Sequence, residues 1–373
     1  MPSDPTTLPP VQRIRRWHWH LVLWRVHRWL GLGLGAILML LSLTGSLLVL
    51  HHDLENRIQP ERQLVAALAG QSVTLAPLLP LVRAEQSEAP AGFRPLRLEP
   101  SHASDEAHKL IFVGPDRATR WAVLFNPYTG AILWRGLDQA LFTPWVLHLH
   151  MHLRLGPWGY VITGVAGLAL ALLSLTGIWI TRNRWTALFR HPFRRRLVTR
   201  AAWAGMHKWL GVASLYFTFV LGATGLWFAI LIVPNQFVEE PPPAPAFPLG
   251  ELASLELVIA ATRERFPDAE LLRVQFPADS DGKLQTLVLH REAPVWEKFS
   301  RLEFDPRTGA LLRVRDARQV SAAEKWRAIL APLHFGFYGA PWVKWMYAVG
   351  GLSPALLALT GARIWWLRKR RGI

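Results

Sequence analysis

Four stretches of this chain, Trp29–Leu50, Leu155–Thr181, Trp209–Val238 and Trp345–Ala362, contain no Asp, Glu, Lys or Arg over 22, 27, 30 and 18 residues. A helix needs about 20 apolar residues to cross ~30 Å of hydrocarbon. The pattern therefore predicts an α-helical membrane protein with four spans. The apolar core of the first segment is longer than the ~7–15 residues of a secretory signal, and His51-His52-Asp53-Leu54 offers no small-x-small cleavage site, so it is read as a span. Gly31, Gly33 and Gly35 lie inside that span and follow no strand, which excludes a dinucleotide-binding turn. The absence of cysteine removes disulfides, thiolate metal sites, iron–sulfur clusters and covalent haem attachment.

The charge is sorted along the chain. Residues 1–28, 182–208 and the tail from Arg363 hold 18 of the 42 basic residues and one acid, Asp4. The two long connectors are close to neutral. By the positive-inside rule, both termini and the 182–208 loop face the cytoplasm and the connectors lie outside. The net charge of +16 then reports topology and attraction to anionic membrane lipids, not nucleic-acid binding. This layout suits a bacterial inner membrane, with the connectors in the periplasm.

The chain repeats itself. Val26-His27-Arg28-Trp29-Leu30-Gly31 recurs 180 positions later as Met206-His207-Lys208-Trp209-Leu210-Gly211, and Thr44-Gly45 recurs as Thr224-Gly225. His150, Pro157-Trp158 and Leu175-Thr176-Gly177 recur at an offset of 184 as His334, Pro341-Trp342 and Leu359-Thr360-Gly361. Phe125–Ala131 and Phe304–Ala310 share a Pro-x-Thr-Gly turn, where Pro sets φ and Gly takes positive φ. Each half reads span, outer α+β domain, span, so the halves form a parallel repeat about an axis along the membrane normal. Glycines and threonines in the spans allow close helix approach, and Pro354 is expected to kink the last span. Within the second connector the spacing predicts a helix over Val258–Phe266 and strands over Leu284–His290 and Arg301–Phe304, after a stiff proline-rich linker at Glu239–Pro248.

Fourteen histidines are placed unevenly. His27 and His207 precede the first and third spans by two residues; His150 and His334 precede Trp158 and Trp342 by eight. Equivalent residues share a depth across a pseudo-two-fold axis, so two inward imidazoles can hold one metal on that axis. Zinc wants four tetrahedral ligands, whereas a porphyrin brings four nitrogens and needs only two axial ones. The pairs His27/His207 and His150/His334 therefore fit two bis-histidine b-type haems, one near each membrane face. His148 and His152 share a helix face, with His150 turned about 160° away; their counterparts are Pro332 and Gly336, and they remain candidates for a substrate or metal contact. His52 falls within about 20° of the face of His27, and the residues leave open whether His52, His148 or His152 replaces a proposed ligand. His18 and His20 read as interfacial; His51, His102, His108, His191 and His290 read as surface residues.

The His-Arg-Trp-Leu-Gly start, the Leu-Thr-Gly-Ser of the first span, the His-Lys-Trp-Leu-Gly repeat and the Pro-x-Thr-Gly turns resemble the PepSY-associated transmembrane family. Within it, the four-span layout looks like the inner-membrane ferric-siderophore reductases of the ferrioxamine type. The resemblance implies a four-helix bundle built from two repeats of span, PepSY-like domain, span, carrying two haems on His27, His207, His150 and His334. It partitions the chain into a cytoplasmic or interfacial segment 1–28, span 29–51, periplasmic domain 52–145, edge helix and span 146–181, basic cytoplasmic loop 182–208, span 209–234, periplasmic domain 235–330, edge segment and span 331–367, and tail 368–373. It implies reduction of a ferric siderophore to release Fe(II), and the missing nucleotide motifs require a separate donor, a quinol or a cytoplasmic reductase. Two other readings compete: a membrane-anchored partner-binding or assembly protein without cofactor, and a transporter of metal or chelate. The latter would want an acidic or broken-helix site at the bilayer midplane, and the spans hold no midplane carboxylate, which counts against it.

Overall fold

The computed structural model describes residues 10–66, 78–101, 103–184, 199–238, 245–337 and 342–370. Most of the basic 182–208 loop, the first part of the proline-rich linker, His102, His191 and the side chain of His18 lie outside them. The chain divides into two compact units: residues 1–50, 146–238 and 333–373 form a helical unit, and residues 51–145 and 239–332 form a second unit around a sheet.

The helical unit contains α1 (Pro10–Gly33) and α2 (Gly35–Val49); the short α3 (His51–Ile58) and α4 (Pro60–Gln63) follow in the sheet unit, as does α5 (Leu78–Glu88). Further along come α6 (Phe142–His152), which leads into the helical unit, α7 (Pro157–Thr181), α8 (Arg200–Ala213) and α9 (Leu215–Ile232). The sheet unit adds α10 (Leu255–Arg265); α11 (Ala322–Phe335) leads back, and α12 (Trp342–Gly350) and α13 (Ser353–Lys369) complete the helical unit. Among the described residues three helical segments are long and apolar enough to cross a membrane: Pro157–Thr181, Leu215–Gln236 and Trp342–Lys369. The pair Trp19–Gly33 and Gly35–Val49 passes the same test together, bent by 63°.

The first expected span is thus broken, and the repeat explains where. Leu34 (φ −106°, ψ 1°) separates α1 from α2. Ser214 (φ −97°, ψ 8°), its counterpart 180 residues on, separates α8 from α9 in the same bridge conformation. Small residues set the packing: α7 lies along α9 so closely that a Cβ added to Gly222 would sit 2.7 Å from the Ala171 nitrogen. The last segment breaks before Pro354, which occupies the first turn of α13. Ser42 on α2 covers that break, donating to the Gly351 carbonyl (2.5 Å) and accepting from the Ala355 amide (3.2 Å). An interrupted helix is tolerable in hydrocarbon only when its freed backbone groups are re-satisfied in this way.

In the sheet unit β1 (Arg94–Glu99), β2 (His108–Val113), β3 (Arg120–Phe125) and β4 (Ile132–Leu137) come from the first connector. The second connector supplies β5 (Glu270–Gln275), β6 (Leu284–Leu289), β7 (Phe299–Phe304) and β8 (Leu311–Arg315). All neighbours are antiparallel, in the order β4-β3-β2-β1-β5-β6-β7-β8. The connectors, expected as two domains, share this one sheet. Each four-stranded meander exposes a first strand, and pairing Arg97 with Gln275 and Leu98 with Val274 removes both open edges. α5 and α10 cover one face, burying Val82, Leu255 and Val258 against Leu98, Leu110, Val274 and Leu302. The two Pro-x-Thr-Gly turns close β3–β4 and β7–β8: Gly130 (φ 71°) and Gly309 (φ 73°) take the left-handed position, and the Asn126 and Asp305 side chains accept from backbone amides two residues on.

Candidate functional site

All four span-entry histidines fall in the helical unit, and they meet in the pairs the repeat predicts. His27 on α1 and His207 on α8 have ring centres 6.3 Å apart; His150 on α6 and His334 on α11 have the same 6.3 Å separation. The four histidines are held alike. His27 Nδ1 lies 2.9 Å from Thr176 Oγ1 on α7, and His207 Nδ1 lies 2.8 Å from Thr360 Oγ1 on α13. His150 Nδ1 lies 3.0 Å from Thr44 Oγ1 on α2, and His334 Nδ1 lies 2.8 Å from Thr224 Oγ1 on α9.

The direction of these bonds follows from where each hydroxyl spends its own proton. Thr44, Thr176 and Thr224 donate to the carbonyls of Leu40, Leu172 and Val220, one helical turn back, and Thr360 donates to Leu357. Each hydroxyl is therefore left to accept, and the imidazole is assigned its proton on Nδ1. That assignment leaves each Nε2 with a free lone pair, the form in which histidine binds a metal. The residue after every threonine is glycine. A Cβ at Gly45 would lie 3.0 Å from His150 Cε1, and at Gly177, Gly225 and Gly361 it would lie 3.5, 3.5 and 3.6 Å from the facing histidine. The Thr-Gly repeats, read from the sequence as helix-packing residues, are thus the seats of the histidines. Their recurrence at the histidines' own offsets was the signal available for that role.

The His27/His207 pair lines a cavity of about 360 Å³, walled by Leu38, Leu170, Leu173 and Leu357. Arg28, Arg200, Lys208 and Arg368 also line it, so the cavity joins apolar walls to a basic border. The guanidinium of Arg28 stacks 4.8 Å from the ring centre of Trp24, and its buried Nε has no hydrogen-bond partner among the described residues. Around the other pair, Phe228 and Phe335 pack edge-on to His334 at 5.3 and 5.4 Å. Among the described residues no three His, Asp or Glu side chains converge as a metal cluster, so each pair offers two nitrogens and not a closed tetrahedral site.

The remaining histidines separate. His52 belongs to the sheet unit, where its Nε2 lies 2.9 Å from Glu106. His148 and His152 face each other at 5.2 Å on α6. His20 and His51 are exposed. His108 and His290, expected at the surface, are buried at 1% and 9% exposure. They sit at the ends of β2 and β6, where short polar partners satisfy one ring nitrogen each: His108 Nδ1 accepts from the Ser101 amide, and His290 Nε2 bonds Ser300 Oγ. Burial pushes His108 down to about 4 and lowers His290 as well.

The family model of the PepSY-associated TM region matches residues 24–368. An uncharacterized protein of Pseudomonas aeruginosa is 27% identical over 250 residues, a match covering 60% of this chain and 63% of that protein. The span-entry histidines, Thr-Gly seats and duplicated turns of this chain lie inside the matched region, and the chain belongs to the PepSY-associated TM region family.

Proposed function

We propose that this protein is a haem-carrying inner-membrane reductase that passes electrons across the membrane to a ferric siderophore, of the ferrioxamine type, in the periplasm. In this reading it is a four-span bundle of two parallel repeats with both termini cytoplasmic, and His27/His207 and His150/His334 would hold two b-type haems. The observation that carries it is the fourfold His–Thr arrangement, in which every Nδ1 is tied down and every Nε2 is left for a metal. The spacing also fits: two metal–nitrogen bonds of about 2.0 Å, with about 1.1 Å from each nitrogen to its ring centre, would allow two imidazole centres to stand about 6.2 Å apart, close to the 6.3 Å of both pairs. Apolar walls with a basic border, including an Arg28 Nε without a partner among the described residues, suit a flat apolar ring bearing two carboxylates.

Haem, when bound, supplies a one-electron couple near each membrane face. The chain's own contribution is fixed. Thr176, Thr360, Thr44 and Thr224 hold a proton on each Nδ1 and so orient the rings; the leucine and phenylalanine walls exclude water; Arg28, Arg200, Lys208 and Arg368 offer counter-charge. The donor is a quinol or a cytoplasmic reductase. One electron converts Fe(III) to Fe(II), which hard oxygen donors hold less tightly, and iron leaves the chelate.

The test is the visible spectrum of the detergent-purified chain before and after dithionite, with a pyridine haemochrome to count haem. Two low-spin b-type haems per chain are expected, reoxidised by a ferric siderophore. A colourless protein produced with ample haem overturns the reading.

A further inference from the structure

We propose that His148 and His152 form a binding site for a divalent first-row metal ion whose cargo is the ferrous ion leaving the reduced chelate; the identity of the cargo rests on the reductase reading, the site does not. The two histidines are four residues apart on α6, on one face of the helix, with ring centres 5.2 Å apart. Two metal–nitrogen bonds of about 2.0 Å meeting at a tetrahedral angle separate imidazole centres by about 5.1 Å, close to that spacing. Both side chains are half-buried. His150, between them in sequence, is turned to the other side and bonded to Thr44, so this pair is separate from the His150/His334 site.

Three features single these residues out from interfacial histidines. First, His152 Nδ1 is buried with no hydrogen-bond partner among the described residues, while the Tyr160 ring packs against the imidazole at 4.9 Å. Second, the repeat lacks them. The counterparts are Pro332 and Gly336, and Gly336 takes positive φ (75°), the conformation that ends a helix at little cost. Third, the turn that follows His152 is strained: Leu153 (φ 52°) and Arg154 (φ 55°) are both left-handed without being glycine. The strained end is pinned in place. Thr163 Oγ1 donates to the Met151 carbonyl (2.8 Å), and a Cβ on Gly159 would lie 1.7 Å from the His152 carbonyl oxygen.

Two imidazoles leave the other coordination positions to water, which gives a site of fast exchange, suited to transfer and not to storage. Fe(II) accepts imidazole nitrogen readily, whereas Fe(III) prefers the hard oxygens of the chelate. No electron moves at this site. Fe(II) exchanges chelate oxygens for two neutral imidazoles and water, and the freed chelator takes up protons from solvent.

The experiment is isothermal titration of the full chain in detergent with Zn(II), as a redox-inert probe, and anaerobically with Fe(II) alone, for wild type, His148→Asn and His152→Asn. Haem absorbance and gel-filtration profile are recorded on each sample. The expected result is binding of either ion at one site that weakens by about tenfold or more in each variant, with haem content and elution unchanged; two single variants guard against misfolding in one. Unchanged affinity and stoichiometry in a folded variant overturns the site. Haem-free protein that still binds Zn(II) through both histidines supports the site while removing the reductase reading.

Discussion

At the residue scale, one side-chain pairing recurs four times, and its chemistry can be tested one hydroxyl at a time. A hydrogen bond from Nδ1 makes the imidazole a stronger donor at Nε2, so losing it weakens ligation and favours the reduced metal. Thr176→Val removes the acceptor of His27 alone. On the reductase reading, one of two haem midpoint potentials rises and haem is lost about 10–100-fold more readily, with the other unmoved, as a redox titration followed optically would record. His108 offers a test independent of any cofactor. Its pKa falls from 6.5 unfolded to about 4 folded because burial disfavours the charged ring. The unfolded chain therefore binds more protons between those values, and the stability is present above pH 6.5 and lost as pH falls towards 4. The full effect is about 3 kcal/mol, and His108→Gln is expected to flatten the dependence of the sheet unit's melting temperature on pH over that window.

At the scale of elements, the histidine-bearing helix ends are clamped by different residues at one repeat-equivalent donor position. Tyr347 on α12 donates to the Leu333 carbonyl (2.8 Å), and Thr163, 184 positions earlier, donates to the Met151 carbonyl (2.8 Å). Each bond sits next to a histidine of the same pair, His334 or His150. Tyr347→Phe and Thr163→Val should each cost about 1 kcal/mol of local stability, read as faster amide exchange at residues 333–337 or 149–155 with the sheet unit unaffected. The breaks at Leu34 and Ser214 belong to the same scale. Uninterrupted apolar sequence conceals them, because helical propensity summed over a span says nothing about a single residue in the bridge region.

At the scale of the molecule, a chain without cysteine lends itself to mapping of its sides. On the proposed topology an impermeant maleimide added to intact spheroplasts labels Gln319→Cys in the sheet unit and leaves Arg182→Cys unlabelled until the membrane is permeabilised; the reverse pattern would invert the orientation. Length and charge exclusion of the apolar segments, the duplication and the pairing of His27 with His207 and His150 with His334 were all determined by the sequence alone. The physical reason is that a span must be long and uncharged wherever it packs, and that duplicated sequence puts equivalent residues at equivalent depths. The tertiary structure decided the rest: which hydroxyl holds each histidine, the burial of His108 and His290, and the union of two connectors through β1 and β5. The first and the last depend on contacts between residues roughly 100 to 180 positions apart, and hydropathy or spacing within one segment carries no information about which distant backbone edge or side chain will satisfy it.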